Sequence, residues 1–341
     1  MVKSTIKDVA RVAGVSLKTV SRVINNEPTV KAATREKVKA AVKELNYRPD
    51  MSARNLRGNT SYAIGLVYDN PNPHYVVDVQ NGVLETCREM GYSLQIHPCN
   101  ANSDVIVEEL SDLVRQSRLA GLVIAPPISE NNAIIDALVE RGIHLVRIIS
   151  ASKPPKSKAP CVYVNDRNAA YRMTEHLLNL GHKNIAFLWG EEEHLSSGER
   201  YAGFSHALKD NEIPENANFV IAGEYSFESG FQRAKKLFAM EKMPTAILGC
   251  NDEIAAGVLA AAKSAGKSVP KDLAIAGFEN SPFSQQAQPP MTTATQAILD
   301  VAKLATLRLI TEMRPQLKSK DMPSGEFIPE LIVRESTRSA S

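Results

Sequence analysis

GVSLKTVSRVINN, residues 14–26, joins a glycine turn to a short segment whose polar and apolar residues fall on opposite helical faces. Gly14 suits the left-handed conformation that ends a helix, and the hydroxyl of Ser16 can cap the next helix. Val20 and Ile24 fit the buried face of that second helix. A helix this short is unstable alone, so we expect tertiary packing to hold it while its hydrogen-bond donors face a partner.

Two further helices are predicted around this segment. Apolar residues at positions 6, 9, 10 and 13 have the spacing of one helical face, and a third helix is predicted over about 32–45. Helix, tight turn and helix together predict a helix-turn-helix, whose second helix enters the major groove of DNA. The alternative is a small three-helix bundle with a solvated polar face.

The polar residues of this N-terminal head suit DNA in two ways. Lys18 and Arg22 can donate to guanine O6 and N7, whereas hydroxyl and amide side chains suit phosphates, which position a protein without reading sequence. The predicted DNA-binding residues among them are Thr5, Ser16, Lys18, Thr19, Ser21, Arg22, Asn25 and Thr34.

The net charge of +2 hides an asymmetry along the chain. The first 60 residues hold 13 Lys and Arg against 5 Asp and Glu, a net +8, and the remainder holds 27 basic and 33 acidic residues, a net −6. A basic N-terminal unit on an acidic body indicates that the small unit meets a polyanion. A basic solvated surface without a partner is the alternative.

The segment NYRPDMSARNLRGN, residues 46–59, predicts a hinge. Pro49 ends the third helix, and a short helix over 51–57 can follow, ended by Gly58. So short a helix is expected to order only against a partner. Leu56 has no evident core and suits a wedge between base steps in the minor groove. A plain flexible linker is the alternative.

TIKDVARVAGVSLKTVSRVINN (residues 5–26) and TREKVKAAVKELNYRPDMSARNLRG (residues 34–58) strongly resemble the head and hinge of the lactose-repressor (LacI) family of bacterial transcription regulators. The resemblance implies that Leu17, Lys18 and Arg22 read bases, and that Ala53 and Leu56 contact the minor groove. It also implies a repressor that binds a palindromic operator as a dimer and is released from it by a small effector.

After Thr60, apolar runs alternate with amphipathic helical stretches in two sets, separated by the loop SASKPPKSKAP at 150–160. Near-continuous apolar strands between helices predict parallel sheets covered on both faces. The fold class expected is therefore a small all-α helix-turn-helix head plus an α/β body of two doubly wound lobes with a cleft between them. TATQAILDVAKLATLRLITEM, residues 293–313, predicts one more long helix, and residues 327–336 predict the final strands.

The expected domains are a head over 1–46, a hinge over 47–60 and an effector-binding and dimerisation core over 61–341. The resemblance implies a periplasmic-binding-protein-like core in which the chain crosses three times between lobes. The implied N-lobe covers about 61–161 and 292–324, and the implied C-lobe covers about 162–291 and 325–341.

Polar residues follow several of the predicted strands, and ligands of open α/β sheets sit at the carboxyl ends of strands. Carboxylates, an amide and an arginine can bind paired hydroxyls, while Tyr75 or Trp189 offers an apolar stacking face, so the set suits a sugar. The predicted effector-binding residues are Tyr75, Asp166, Trp189, Arg200, Asn251, Asp252 and Glu279. Arg200 matches the family's effector-binding arginine by resemblance. For Trp189, a core tryptophan beside the cleft is the alternative.

Three positions depart from the family pattern. Glu279 stands where the family usually has aspartate, Asn165-Asp166 where it commonly has Asp-Asn, and Asp50 where it usually has asparagine. The first two departures alter the predicted pocket, so the resemblance implies no particular sugar.

Motifs of catalysis are absent from the sequence: it holds no GxSxG, HExxH, P-loop or complete GxGxxG. Its four cysteines are scattered and its seven histidines dispersed, so no catalytic residue, metal site or cofactor is expected. The N-terminus lacks the apolar stretch of a signal peptide and no run of about 18 apolar residues occurs. We therefore expect a protein that is neither an enzyme nor bound to a membrane, and the resemblance implies that it is cytoplasmic, bacterial and nucleoid-associated.

The partners expected are a double-stranded DNA operator, a small effector of carbohydrate type and a second copy of the chain. No heptad-rich helix follows Val333, so a homodimer is expected rather than a tetramer. The main alternative is a corepressed regulator that binds DNA only with a purine-like or other small ligand. A basic structural nucleic-acid protein, a sugar-transport protein and an enzyme remain as less favoured alternatives.

Overall fold

The computed structural model describes residues 4–24, 29–45, 47, 61–70, 72–153, 156–317 and 322–337. The expected hinge helix over 51–57, with Ala53 and Leu56, lies outside the described residues, as does Asn25. Within the described ranges, no helix is both long enough and apolar enough to cross a membrane.

The head contains three helices, and the turn chemistry expected from the sequence is confirmed. They are α1 (Ile6–Ala13), α2 (Leu17–Ile24) and α3 (Ala32–Glu44). Gly14 ends α1 in the left-handed region with φ 64°, and the Thr19 amide donates to Ser16 Oγ at 3.1 Å. The core consists of buried side chains from all three helices: Val9, Ala10, Val20, Val23, Val38 and Ala41.

The first α/β lobe is built on a six-stranded parallel sheet with helices on both faces. Its consecutive elements are β1 (Ala63–Tyr68), α4 (Pro73–Met90), β2 (Ser93–Pro98), α5 (Ile106–Gln116), β3 (Gly121–Ile124), α6 (Asn132–Glu140), β4 (Leu145–Ser150) and β5 (Cys161–Val164). The strands β3 and β4 are buried along their whole length, as a sheet covered on both faces requires.

The second lobe is built on a four-stranded parallel sheet. Its elements are α7 (Asp166–Asn179), β6 (Ile185–Leu188), α8 (Leu195–Asp210), β7 (Val220–Ile221), α9 (Phe227–Phe238), β8 (Ala246–Gly249), α10 (Asp252–Ser264), β9 (Ala274–Ala276) and α11 (Pro282–Gln286). The strand order is β7-β6-β8-β9. Its apolar core is contiguous and runs beneath both helical layers.

The remaining elements connect the two lobes. They are β10 (Thr293–Thr295), α12 (Ile298–Met313), β11 (Glu326–Phe327) and β12 (Glu330–Ile332). Strand β11 pairs with β5, which completes the order β11-β5-β4-β3-β1-β2 in the first sheet. Strands β10 and β12 form a separate antiparallel pair, and α12 packs against α4 of the first lobe.

The expectation of one helix over 293–313 is wrong at its start. Residues Thr293–Thr295 form β10, whose threonines are β-branched and suit an extended backbone. Ala297 then takes a left-handed conformation with φ 48°, so the helix begins only at Ile298. The consequence is functional, because this extended segment carries Gln296 into the region between the lobes.

The lobe boundaries also differ by a few residues from those expected. Strand β5, expected to begin the C-lobe at about 162, pairs with β4 in the first sheet, so the chain leaves that sheet only after Val164. Strand β11 also belongs to the first sheet, so the last crossing follows Phe327 rather than lying near 325. Strand β5 belongs to the first sheet because it pairs with β4. Without β5, the backbone groups along that side of β4 would be unpaired.

Candidate functional site

A cavity of about 330 Å³ lies between the two lobes, lined by loops at the carboxyl ends of strands from both sheets. Its apolar wall comes from Pro126, Ile148, Ile149, Val164 and Ile298. Its acidic residues are Glu130, Asp166, Glu191, Glu253 and Glu279. This position, outside the strand ends, is where open α/β folds bind ligands.

A buried ion pair forms the floor of the cavity. Arg200 on α8 and Asp166 at the start of α7 are each 1% exposed, and Arg200 Nε donates to Asp166 Oδ1 at 2.9 Å. Arg200 Nη1 donates to the carbonyl oxygen of Cys250 at 2.5 Å. Burial opposes the charged form of Arg200, but Asp166 outweighs it and keeps the pKa of Arg200 well above its ordinary value.

Asp166 also receives hydrogen bonds from outside its own lobe. Ser150 Oγ, at the end of β4, donates to Asp166 Oδ2 at 2.6 Å, and Gln296 Nε2, from the connecting segment, donates to Asp166 Oδ1 at 3.2 Å. With Arg200, three donors therefore converge on one carboxylate. Such a satisfied arrangement is rigid and holds the guanidinium in one place.

Glu279 joins the lobes at the other side of the ion pair. It follows β9 with a left-handed φ of 102°, and its Oε1 lies 3.9 Å from Arg200 Nη1. Asn72 Nδ2 of the first lobe donates to Glu279 Oε2 at 3.0 Å. Burial raises the pKa of Glu279 to about 8, although Arg200 works in the opposite direction.

Glu130 makes a further bond between the lobes. Its Oε2 accepts from the backbone amide of Leu195 in the second lobe at 3.0 Å, and its Oε1 accepts from the Ser150 amide at 3.4 Å. Burial raises the pKa of Glu130 to about 7. Together with the Asn72–Glu279 and Ser150–Asp166 bonds, this contact holds the two lobes together around the cavity.

Five of the seven expected effector residues line this cavity: Tyr75, Asp166, Arg200, Asn251 and Glu279. Asn251 also caps α10, with its Oδ1 accepting from the Ile254 amide at 2.8 Å. Tyr75 is half-buried on α4, and burial raises the pKa of its hydroxyl above the ordinary value.

Asp252, expected to bind the effector, does not line the cavity. The side chain is fully buried, and Oδ1 accepts from Thr293 Oγ1 at 2.6 Å. Its Oδ2 accepts from the amide of Ser281 at 2.7 Å and from its hydroxyl at 3.0 Å. The Asp252 carboxylate therefore accepts hydrogen bonds from Ser281 in its own lobe and from Thr293 in β10. These bonds connect the loop after β9 to the connecting segment.

Trp189, expected either as a stacking face or as a core tryptophan beside the cleft, also lies outside the cavity lining. Its ring is 4.7 Å from that of Tyr201 and 6.3 Å from that of Phe187, centroid to centroid, and it packs against the core of the second lobe. Strand β6 ends one residue earlier, at Leu188, and aromatic contacts with α8 hold the tryptophan there.

Tyr225 supplies an aromatic side chain that the sequence analysis missed. It lines the cavity, its hydroxyl is 2.7 Å from Ser197 Oγ, and its ring lies edge-on to His194 with centroids 5.7 Å apart. Glu130, Ser150 and Gln296 were missed as well. Tyr225 and Glu130 follow apolar runs in the sequence, the pattern that identified the other residues, whereas Gln296 was assigned to a helix.

The head exposes the residues expected to meet DNA on and around α2. Ser16, Leu17 and Lys18 are exposed, and Thr19, Ser21 and Arg22 are partly exposed. Leu17 is 45% exposed, so packing within the head does not account for an apolar residue there. Thr5 is exposed at the N-terminus of α1, where its hydroxyl donates to Asp8 Oδ2 at 2.7 Å and its backbone amide donates to the same oxygen at 2.9 Å. Thr34 lies in α3 and is partly buried.

Comparisons with known families and proteins agree with this architecture. Residues 5–50 match the family described as "Bacterial regulatory proteins, lacI family", and residues 174–337 match a "Periplasmic binding protein-like domain". The HTH-type transcriptional repressor PurR of Vibrio parahaemolyticus is 32% identical over 338 residues, covering 98% of this chain and 99% of the relative. PurR of Haemophilus influenzae is 31% identical over 338 residues, which also covers 98% of this chain and 99% of the relative.

Solved structures give the same result. The lac repressor dimer bound to operator and the anti-inducer ONPF is 28% identical, with a TM-score of 0.74 over 99% of this chain and 100% of that one. The complex of the transcriptional regulator CelR with cellobiose shares the fold, with a TM-score of 0.71 at 24% identity over 98% of this chain and 100% of that one. The chain, with its helix-turn-helix head and two parallel α/β lobes of periplasmic-binding-protein type, therefore belongs to the LacI family of transcriptional regulators, a family without enzymatic activity.

Proposed function

We propose that this LacI-family repressor binds a near-palindromic operator as a dimer in the cytoplasm, and that a small, uncharged sugar releases it. The single observation that carries the choice of ligand is the cavity between the lobes, with its carboxylates, amides and one buried guanidinium beside an apolar wall.

The charges of the cavity favour an uncharged, hydroxyl-rich ligand over an anion. Among the described lining residues, five carry carboxyl groups and one is an arginine, Arg200, which is already paired with Asp166. An acidic ligand would therefore have to compete with Asp166 for that guanidinium. Sugar hydroxyls can instead donate to these carboxylates, while their C–H faces lie on Ile148, Ile149 and Val164.

The DNA side of the proposal rests on α2. Two heads would meet two half-sites about one helical turn apart, with Lys18 and Arg22 directed at base edges and the hydroxyl residues at phosphates. Ala53 and Leu56 of the hinge remain predicted minor-groove residues, because they lie outside the described part of the chain. The net negative charge of the effector-binding core would repel DNA, so DNA would bind at the basic head.

The coupling between ligand and DNA follows from thermodynamic linkage. A ligand releases the operator only if it binds more tightly to the released state than to the DNA-bound one. The contacts Asn72–Glu279, Ser150–Asp166 and Glu130–Leu195 join the lobes around the cavity. A ligand that adds to them or replaces them changes the angle between the lobes, and that is the motion available for signalling.

A corepressed mode is the second candidate, because curated relatives that match along the whole chain include PurR repressors. In that mode a purine-like or other small ligand would strengthen operator binding. The two modes differ in sign, so operator binding measured with and without added ligand separates them. A sugar that weakens operator binding supports induction, whereas a nucleobase that strengthens it contradicts the sugar proposal.

The test of the DNA role is the Arg22→Ala variant in fluorescence-anisotropy titrations. An operator is first selected from a random duplex library with the full-length protein. We expect Arg22→Ala to lose about 1–3 kcal/mol of discrimination between that operator and a scrambled duplex. The control is Arg115→Ala, which removes an exposed arginine on α5 of the first lobe, outside the head. Unchanged discrimination in Arg22→Ala would remove this residue from base reading.

A further inference from the structure

One loop of the second lobe carries an aromatic side chain into the cavity between the lobes. The loop spans 222–226, between β7 and α9, and its Tyr225 lines the cavity. The tyrosine hydroxyl lies 2.7 Å from Ser197 Oγ on α8 and 3.4 Å from Cys250 Sγ after β8. Cys250 is fully buried and does not line the cavity. The side chain of Tyr225 therefore stands between the cavity and this thiol.

The ring of Tyr225 rests on the backbone at Gly190, two residues after the end of β6. An added Cβ at Gly190 would lie 2.1 Å from Tyr225 Cζ and 2.4 Å from its two Cε atoms. Any side chain larger than that of glycine at this position would therefore push the ring away. The position of the ring depends on two backbone segments, the one beneath it and the one that carries it.

Arg233 on α9 bonds to both of these backbone segments. Its Nη1 donates at 2.6 Å to the carbonyl oxygen of Trp189, the residue before Gly190. Its Nη2 donates at 3.1 Å to the carbonyl oxygen of Glu224, the residue before Tyr225. Its two other acceptors are the carbonyl oxygens of Ile221 and Ser229, each at 3.0 Å. One side chain therefore fixes the segment beneath the ring relative to the segment that carries it.

The guanidinium of Arg233 is buried, and its four hydrogen bonds go to backbone carbonyl oxygens. The residue is 4% exposed, and burial lowers the pKa of Arg233 to about 10. A buried charge is costly unless its hydrogen bonds are made, and the planar fork of arginine can aim several donors at once. Arg233 does not line the cavity, so its chemistry suits positioning of the backbone rather than contact with a ligand.

We propose that Arg233 positions Tyr225 as a wall of the effector cavity and thereby sets effector affinity without touching the effector. This inference rests on the proposed function, in which the cavity binds the effector. Loss of Arg233 frees the loop 222–226, moves the tyrosine ring off Gly190 and opens a path from the cavity to the thiol of Cys250.

The first test needs no ligand and uses alkylation of the full-length protein with iodoacetamide, followed at each cysteine by peptide mass spectrometry. Arg233→Met removes all four hydrogen bonds, and Arg233→Lys keeps a cation that cannot reach all four carbonyls. Gly190→Ala displaces the ring while Arg233 remains. The matched controls are Lys236→Met, which removes an exposed cation from the same helix, and Gly198→Ala, where an added Cβ meets nothing within 4 Å.

We expect Cys250 to react about tenfold or more faster in Arg233→Met than in wild type, because losing a hydrogen bond to a charged group shifts a local equilibrium by about that factor. Arg233→Lys should show a smaller increase, and Gly190→Ala should also expose the thiol. Cys87, which is fully buried in the first lobe, should stay as slow as in wild type. The fluorescence of Trp189, the single tryptophan of the chain, should remain that of the folded protein. Both controls should match wild type.

The alkylation result separates positioning from a purely structural role. Cys250 that stays protected in the Arg233 variants, or in Gly190→Ala, would overturn the inference and leave the proposed function standing. Equal increases at Cys87, or the emission of unfolded protein from Trp189, in both Arg233 variants would show that the residue only stabilises the fold, and would overturn the inference as well.

The second test is isothermal titration of the same variants with ribose, glucose, galactose, fructose, lactose and cellobiose. The sugar that binds wild type most tightly should bind about tenfold more weakly to Arg233→Met and to Gly190→Ala, and equally well to both controls. Unchanged affinity in variants that expose Cys250 would overturn the inference but not the sugar proposal. Failure of every sugar to bind wild type would overturn the proposed function, and this inference with it.

Discussion

At the scale of single residues, Arg200 and Asp166 carry the greatest electrostatic consequence. Both are almost completely buried, and Arg200 Nε donates directly to Asp166 Oδ1. Taking two charges out of water costs several kcal/mol per ion, which their attraction repays only when the surrounding hydrogen bonds are complete. Here Ser150, Gln296 and the carbonyl of Cys250 complete them.

The first prediction follows from that pairing. Arg200→Met should destabilise the core by about 3–5 kcal/mol, because it leaves the carboxylate of Asp166 buried without its counter-charge. Urea denaturation followed by circular dichroism measures the loss. The double variant Asp166→Asn/Arg200→Met should be more stable than Arg200→Met alone, because the unpaired charge is gone. A double variant that is no better than the single one would contradict this account.

The second prediction concerns pH. Burial raises the pKa of Glu279 to about 8, from an ordinary value of 4.5 that applies to the unfolded chain. Between these values the folded protein holds a proton that the unfolded chain has released, so stability should fall as pH rises through this window and level off above it. Melting temperatures of wild type and Glu279→Gln from pH 5 to 9 test this, because the variant should show a smaller decline.

Glu130→Gln provides the matched comparison for the pH series. Burial raises the pKa of Glu130 to about 7, so its contribution to the decline should end about one pH unit lower than that of Glu279. In a plot of melting temperature against pH, Glu130→Gln should therefore reduce the decline at lower pH and leave the decline near pH 8 unchanged. Identical slopes in wild type and Glu279→Gln would show that Glu279 does not hold its proton in the folded protein.

At the scale of elements, glycines set how closely the helices of the second lobe can pack. An added Cβ at Gly203 of α8 would lie 2.1 Å from the carbonyl oxygen of Arg167 and 2.8 Å from the amide nitrogen of Tyr171, both on α7. Contacts that short force the two backbones apart. This helix pair also positions Arg200 and Asp166, one on each helix.

The third prediction compares two glycines of the same helix. Gly203→Ala should destabilise the protein by about 1–3 kcal/mol through overpacking against α7. Gly198→Ala, where an added Cβ meets nothing within 4 Å, should be neutral or stabilising by up to about 1 kcal/mol because alanine favours the helix. Thermal unfolding of both variants measures the contrast. Equal effects at the two positions would mean that the close crossing does not limit packing.

At the scale of the whole molecule, the hydrogen bonds Asn72–Glu279, Ser150–Asp166 and Glu130–Leu195 hold the lobes together. Each contributes about 1–3 kcal/mol, with bonds to a charged carboxylate at the upper end, so their number suits an equilibrium that a ligand can shift. The chain also connects the lobes through β10, which pairs with β12, and through β11, which pairs with β5 of the first sheet.

The fourth prediction is the oligomeric state. We expect a dimer at micromolar concentration, because two heads are needed for two half-sites of a near-palindromic operator. Sedimentation equilibrium of the full chain, with and without operator duplex, measures the mass of the assembly. A monomer that persists at these concentrations, or a tetramer, would refute the expectation.

What the sequence by itself determined was local and periodic. The turn at Gly14, the cap at Ser16 and the amphipathic spacing of α1 are set by neighbouring residues, so they could be predicted one by one. The alternation of apolar strands with helices likewise predicted two parallel sheets and the strand ends where Asp166 and Glu279 stand.

What only the tertiary structure decided was the set of contacts between segments distant in the chain. Trp189 packs against Tyr201 on α8, and the Asp252 carboxylate accepts hydrogen bonds from Ser281 and Thr293. The segment before Ile298 is extended because it pairs with β12. Glu130 and Ser150 reached the cavity through bonds to the opposite lobe. Spacing along one chain carries no information about such partners, because burial and hydrogen bonding between lobes depend on how the two sheets face each other.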